Sequence, residues 1–494
     1  MNTIEKLKHA RRVSAPLVSI TTADQQHTMQ TIKTALNENT SIVRWDYLTG
    51  TNPVNELGKA VADLTGRGDD DNTIANPANL LNLAKTFPEE TVVFVLNFDQ
   101  FLADKDQPAV LQGVANLRDV FKQDRRMLIM LSPGISIPAA LKDDIISIDE
   151  ELPSEEELKQ IVIEQDKSAS DGTERTLLDE QTVERAVEAV QGLSSFSAEQ
   201  TIAMSLRKEG IDLDHCWQQK KVQIEQTKGL SIYRGGETFK DIGGLDQIKS
   251  YLSRVMTGRK PPKTIVWIDE IEKTGISSRN DTSGVNQDQE GTLLSYMEDQ
   301  DVFGVMLLGV PGCGKSAICK AVGAEFDRVV IRLDLGAMMG SLVGQSQQQI
   351  RQALKVVSAV GGKDTLWLAT SNSINGLSAA MRSRFTDIFF FDLPTKEERK
   401  PIWDVWLKKY SLESDLSTTF GDGWVGRNIR QCVTKAWMMN MSVEEASEYI
   451  IPVGSVEREE IERLRKQADG RYLNASGKGV YRIENKAGKR SIDL

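Results

Sequence analysis

Cysteine and histidine are scarce in this chain, and the few present are scattered. The four cysteines (Cys216, Cys313, Cys319, Cys432) form no CxxC pair, and 494 residues hold only three histidines. Neither a zinc site nor a disulfide framework is suggested, and a reducing compartment fits. Long apolar runs are missing too. None approaches the roughly 18–20 residues of a membrane span, and the opening MNTIEKLKHARR lacks the apolar centre of a signal peptide. A soluble, cytoplasmic protein without a membrane partner is expected. Positive charge is also short, with 60 Lys+Arg against 71 Asp+Glu and a net charge of -11. No stretch interleaves dense basic residues with aromatics, which argues against nucleic acid as a partner.

What is present is a repeated alternation. Short β-rich runs such as PLVSITT, TVVFVLNF and RRMLIMLSP alternate with polar helical stretches from Pro16 to about Leu230. From Phe239 onward the pattern returns in TIVWI, GVMLLG, RVVIRLDL, DTLWLATSN and DIFFFDLP. Such alternation indicates parallel α/β domains. Residues 125–161 also lie over 364–402 in the same succession of strand, Ser-containing turn, short helix, strand, Leu-Pro and acidic helix start. Two related units from a duplication are expected. The acidic stretch 66–72, GRGDDDN, reads as a solvated loop, and the polar Gly/Lys-rich end of the chain as a small β extension or a mobile tail.

The chemistry gathers in the second unit. GVPGCGKS (309–316) follows an apolar strand and opens a helix. Gly309, Gly312 and Gly314 allow the tight backbone that turns N–H groups toward phosphate, Lys315 has the reach for β/γ oxygens, and Ser316 offers a hydroxyl to Mg²⁺. Pro311, Cys313 and Ala317 complete the loop and the first helical turn. TIVWIDEIEK (264–273) ends an apolar run in Asp269 and Glu270, of which the first suits Mg²⁺ and the second a water to be oriented or deprotonated. Asn372 ends another apolar strand, where an amide can position the same water. The first unit has no GxxxxGK[ST], and Asn97 and Asp99 stand where an Asp-Glu pair would be needed. It is therefore expected to be a degenerate ATPase-like domain.

Together with FKDIGGLDQIKSYL (239–252), MRSRFTDIFFFDLP and GWVGRNIRQCV, these segments resemble an AAA+ ATPase. Within that superfamily the chain most resembles the uncharacterised proteins of plastid and cyanobacterial genomes known as hypothetical chloroplast frames, which share a degenerate N-terminal domain, a GLSS-type turn (192–195 here) and a tail like GRYLNAS. The resemblance implies a P-loop NTPase fold, a three-layer α/β/α parallel sheet with a C-terminal helical lid. It divides the chain into an ATPase-like domain (1–152), a lid-like region and linker (153–230), the AAA+ α/β domain (231–392), a lid (393–450) and a polar tail (451–494). It also implies that Asp241, Ile242 and Gly243 lie against adenine, that Asp269 and Glu270 form the Walker B pair, and that Asn372 is sensor 1. Arg382 and Arg384 become arginine-finger candidates acting on a neighbouring subunit, and Arg427 or Arg430 the sensor-2 candidate. A homo-oligomer, such as a hexamer, follows from the fingers.

Two departures qualify the resemblance. The pore-loop triplet of the family has an aromatic where SLVGQSQ places Leu342, which speaks against threading of a polypeptide. The Walker B segment also precedes Walker A, whereas moving 264–300 to follow Lys363 restores the family order. The same sheet remains reachable if two crossovers each span one strand more, roughly 5 Å. The expected function is ATP hydrolysis with Mg²⁺, coupled to remodelling or regulating a protein partner. The alternative is a nucleotide-binding scaffold with little turnover.

Overall fold

The computed structural model describes residues 3–64, 76–103, 107–134, 137–171, 175–274, 285–300, 302–338, 345–361, 364–374, 377–413 and 420–483. Leu342 and the acidic loop 66–72 lie outside the described residues. The chain divides into two units, Met1–Cys216 and Trp217–Leu494. The strand Leu230–Tyr233 falls in the second unit.

In the first unit, β1 (Leu17–Thr21), β2 (Ile42–Asp46), β3 (Gly50–Pro53), β4 (Val92–Leu96), β5 (Met127–Ser132) and β6 (Ile146–Asp149) form one sheet in the order β3-β2-β4-β5-β1-β6. All its pairings are parallel except the β2–β3 hairpin. Alternate residues feed two cores, Val93 and Val95 one, Val92 and Phe94 the other, as the period of two along a strand requires. Helices Glu155–Ser170, Glu180–Val190 and Ser195–Ser205 follow, the last capped by Ser194 of the GLSS turn. A short antiparallel pair, β7 (Leu206–Arg207) with β8 (Gly210–Ile211), ends the unit.

The second unit holds β9 (Leu230–Tyr233), β10 (Thr264–Ile268), β11 (Phe303–Gly309), β12 (Val329–Leu333), β13 (Thr365–Ser371), β14 (Asp387–Phe391) and β15 (Leu473–Asn474), in the order β15-β14-β11-β13-β10-β12-β9. β9 runs antiparallel at one edge, and the other pairings are parallel. TIVWI is buried at all five positions, which suits a central strand covered on both faces. Val266 and Ile268 pack into one core, Ile265 and Trp267 into the other.

The first sheet serves as an internal reference for the second. Stripped of edge strands, the orders are β2-β4-β5-β1-β6 and β12-β10-β13-β11-β14. The same five places are filled, yet β4 is reached in the first unit after β1 and β2, while its counterpart β10 is reached first in the second. A residue with positive φ follows each strand within two positions, Asn97 at 53° after β4 and Glu270 at 48° after β10.

The lid helices Lys396–Tyr410, Gly426–Met439 and Val443–Ser447 close around Trp403, Trp424, Ile429 and Val433. Residues 473–481 dock against the sheet edge. β15 pairs parallel with β14, the Ala475 N–H donates to the Phe390 carbonyl (3.1 Å), and the Tyr481 ring lies 4.6 Å from that of Phe390. The Tyr481 hydroxyl (2.6 Å) and Arg465 Nε (2.9 Å) both donate to Asp392, just past β14.

Candidate nucleotide site

β11 delivers the phosphate-loop sequence to the N-terminus of helix Lys315–Glu325. Gly309, Gly312 and Gly314 all have positive φ, at 150°, 84° and 94°. Two of these cannot be replaced without a collision. A Cβ on Gly309 would fall 2.1 Å from the Phe391 carbonyl oxygen of β14, and one on Gly312 would fall 2.9 Å from Val425. The side chain of Lys315 is folded into the loop, where Nζ donates to the carbonyls of Gly309 (2.8 Å) and Val310 (2.9 Å). With only 6% exposure, desolvation pushes this ammonium down to about 8, against the pull of Glu272 and Glu270. The neighbouring Cys313 thiol is driven up to about 12 by burial, which leaves it inert. Pro311 and Ala317 are half-buried, while Ser316 is exposed.

Two strands away, at the carboxyl end of β10, Asp269 meets this loop: Ser316 Oγ is 3.5 Å from Asp269 Oδ1. A hydroxyl and a carboxylate converging from a phosphate-loop helix and a neighbouring strand are oxygen donors of the kind Mg²⁺ takes, so the residues fit that ion. Glu270 sits in the left-handed region, unusual for a residue with a Cβ. The conformation is held by its N–H donating to Thr370 Oγ1 (2.9 Å), and Asn372 Nδ2 lies 3.3 Å from its Oε1. The structure therefore brings Lys315, Ser316, Asp269, Glu270 and Asn372 together, although β10 precedes the phosphate loop in the chain.

Around this centre the remaining candidates separate. Arg427 opens helix Gly426–Met439 directly on the phosphate loop, its N–H donating to the Gly312 carbonyl (3.2 Å). Arg430 instead lies 5.2 Å over the Trp406 ring within the lid. Gly243 is pressed on the lid helix Lys396–Tyr410, where a Cβ would lie 2.3 Å from the Ile402 nitrogen. The Ile242 carbonyl accepts from Lys249 Nζ, and the Asp241 carboxylate is occupied by the N–H and hydroxyl of Thr238. Arg384 pairs with Glu298 (2.7 Å), and Arg382 is half-exposed on the short helix Ala379–Ser383.

Three further residues were given no role in the sequence reading. Thr370, 1% exposed, donates to Asp269 Oδ1 (2.9 Å) and accepts from Glu270, so a single hydroxyl on β13 joins both carboxylate residues. Glu272 accepts the Asn372 N–H (2.9 Å) through Oε1, while its Oε2 is buried without a partner. Arg332 on β12 donates to Asp269 Oδ2 from Nε (3.2 Å) and Nη2 (2.8 Å). An arginine within the otherwise apolar run VVIRL was the one signal for it.

In the first unit the corresponding corner is filled. The β1 strand passes through Thr22 and Ala23 to Asp24, whose carboxylate accepts the His27 N–H (2.9 Å) and caps helix Gln25–Ala35. Gln25 Nε2 donates to Asn97 Oδ1 (2.6 Å), and Ser132 Oγ to Asp99 Oδ1 (2.6 Å). A carboxylate thus stands at the helix N-terminus where an anion would have to sit.

A parallel sheet with a glycine loop, lysine and hydroxyl on one strand-helix turn, and with two carboxylates and an amide on its neighbours, defines a P-loop AAA+ α/β fold with an ATPase-like N-terminal domain. The family descriptions agree: residues 3–150 match the N-terminal domain of SpoVK-like AAA ATPases, and 305–363 match the ATPase family associated with various cellular activities. Similar proteins match along most or part of the chain. Over 96% of its length the chain is 25% identical to the uncharacterized AAA domain-containing protein ycf46 of Pyropia yezoensis, of which it covers 100%. The Guillardia theta protein of the same name is 22% identical over 95% of each chain. A putative 26S proteasome regulatory subunit homolog of Methanothermobacter marburgensis is 23% identical over 36% of this chain and 59% of its own. The AAA match ends at Lys363, the residue after which 264–300 would restore the family order. Among the described residues no helix is long and apolar enough to cross a membrane.

Proposed function

We propose that this protein binds ATP with Mg²⁺, hydrolyses it, and uses the nucleotide cycle to remodel or regulate a protein partner. The observation that carries this reading is the meeting of Asp269 with Ser316 and of Glu270 with Asn372 beside Lys315. Lys315 and the loop N–H groups hold the β- and γ-phosphates, released from the carbonyls that Lys315 now contacts. Ser316 and Asp269 would hold Mg²⁺, which would supply positive charge beside the transferring phosphoryl. Glu270 accepts a proton from the attacking water while Asn372 fixes the orientation of both. Arg427 reaches the phosphates from the lid. Arg382 and Arg384 are proposed as fingers for a neighbour's nucleotide in a homo-oligomer, Arg384 leaving Glu298 to serve there. The plastid relatives support a plastid or cyanobacterial cytoplasm as the setting.

The test is a pair of variants. Glu270→Gln should bind a fluorescent ATP analogue as wild type does and lose phosphate release by about 10²-fold or more, whereas Lys315→Ala should lose binding itself. Retained binding in Lys315→Ala, or unchanged turnover in Glu270→Gln, refutes the assignment. Wild type that binds without turnover establishes the scaffold alternative, which the filled corner of the first unit favours as an interaction module.

A further inference from the structure

Both oxygens of the Asp269 carboxylate have partners. Oδ1 faces Thr370 Oγ1 (2.9 Å) and Ser316 Oγ (3.5 Å), and Oδ2 takes both donors of the Arg332 fork. Arg332 is itself fixed from two further sides. Nη2 also donates to Asp334 Oδ2 (3.1 Å), and the guanidinium lies 5.5 Å over the buried Trp267 ring. In the sheet Arg332 is the register partner of Trp267, one residue before Ile268 and two before Asp269. A rigid, planar cation therefore holds the outer oxygen of this carboxylate, and the oxygen left toward Ser316 is the one a metal would use. The ion pair is largely shielded, with side-chain exposures of 28% for Arg332 and 13% for Asp269, so it is weakly screened by solvent.

We propose that Arg332 is a positioning residue of the Mg²⁺-nucleotide site: it aims Asp269 Oδ1 at Ser316 and, by sharing that carboxylate with the metal, holds Mg²⁺ affinity below what an unpaired aspartate would give. This rests on the reading of the site as one for Mg²⁺ and ATP. Two consequences of opposite sign follow from one residue. Removing the guanidinium removes a like charge from the metal's carboxylate, so Mg²⁺ binds more tightly. It also frees the carboxylate to rotate, so the geometry that turnover depends on is lost. A residue that served only to stabilise the sheet would weaken both together.

The experiment uses the full chain with Arg332→Met and Arg332→Lys. Mg²⁺ is titrated against binding of a fluorescent ATP analogue, and steady-state phosphate release is measured in parallel. In Arg332→Met the half-saturating Mg²⁺ concentration should fall by about three- to tenfold and kcat by about tenfold. In Arg332→Lys the charge stays and the fork is lost, so half-saturation should remain within about twofold of wild type while kcat is still reduced. Half-saturation that is unchanged or raised in Arg332→Met, or a kcat that neither variant lowers, overturns the proposal. If Arg332→Met does not fold, a wild-type kcat in Arg332→Lys suffices to overturn it. Wild type that gains no affinity from Mg²⁺ overturns the functional reading as well, whereas wild type that binds Mg²⁺-nucleotide without turnover overturns only hydrolysis, and the binding titration then decides.

Discussion

Lys315 is the residue at which charge and burial oppose each other most directly. Its ammonium is held at about 8 by desolvation, below its ordinary value of about 10.4, so the folded chain binds fewer protons than the unfolded chain between those values. Stability should accordingly rise with pH across that window. Nucleotide affinity should run the other way, because polyphosphate favours the charged lysine. Affinity should be full below about pH 8 and fall above it. Titrations of a fluorescent ATP analogue at stepped pH check this, and Lys315→Arg should flatten the profile if it binds at all. Thr370 carries a second prediction: Thr370→Val removes the hydroxyl that accepts the Glu270 N–H and donates to Asp269 Oδ1, which should cost about 1–3 kcal/mol in denaturant unfolding and slow turnover about tenfold. Lys315, Ser316, Asp269, Glu270 and Asn372 were legible in the sequence because each belongs to a contiguous motif. Thr370, Glu272 and Arg332 were not, although the first two lie inside quoted segments, since their roles arise from contacts between segments far apart in the chain.

At the level of elements, the segment 239–243 is pinned between the sheet and the lid. The close approach of Gly243 to Ile402 leaves no space for a methyl group, so Gly243→Ala should push the lid helix Lys396–Tyr410 outward. The expected result is a loss of about 1–3 kcal/mol together with weaker nucleotide binding, read by thermal unfolding with and without nucleotide. A variant with wild-type melting and affinity would show that the lid does not rest on this glycine. β1, β4, β5 and β10 to β14 were readable from apolar runs, because buried parallel strands carry continuous hydrophobicity, whereas β2, β3 and β9 were not singled out. β15 was not, since two residues within RYLNASG have no periodicity. What makes them a strand is the exposed edge of β14 and the Arg465 and Tyr481 donors to Asp392 beyond it.

For the molecule as a whole, two sheets with one spatial order are reached by two chain orders. If the site depends on strand position and not on sequence order, a rearranged chain with 264–300 placed after Lys363 should bind nucleotide within a few-fold of the present chain. Isothermal titration measures this, and loss of binding in a folded rearranged chain would show that the present connections themselves shape the site. In either order one nucleotide per chain is expected, the first unit having its own carboxylate at the helix N-terminus. The early position of β10 also has a consequence during synthesis. Its sheet neighbours β12 and β13 both lie downstream, so TIVWI leaves the ribosome with neither flank available. β12 is completed some sixty residues later, or roughly 3–12 s at about 5–20 residues per second. For that interval five apolar residues destined for full burial are open to solvent and to other nascent chains. The yield of active protein should therefore depend on holding chaperones and translation speed more steeply than that of the rearranged chain, in which the same strand emerges after β12 is already made.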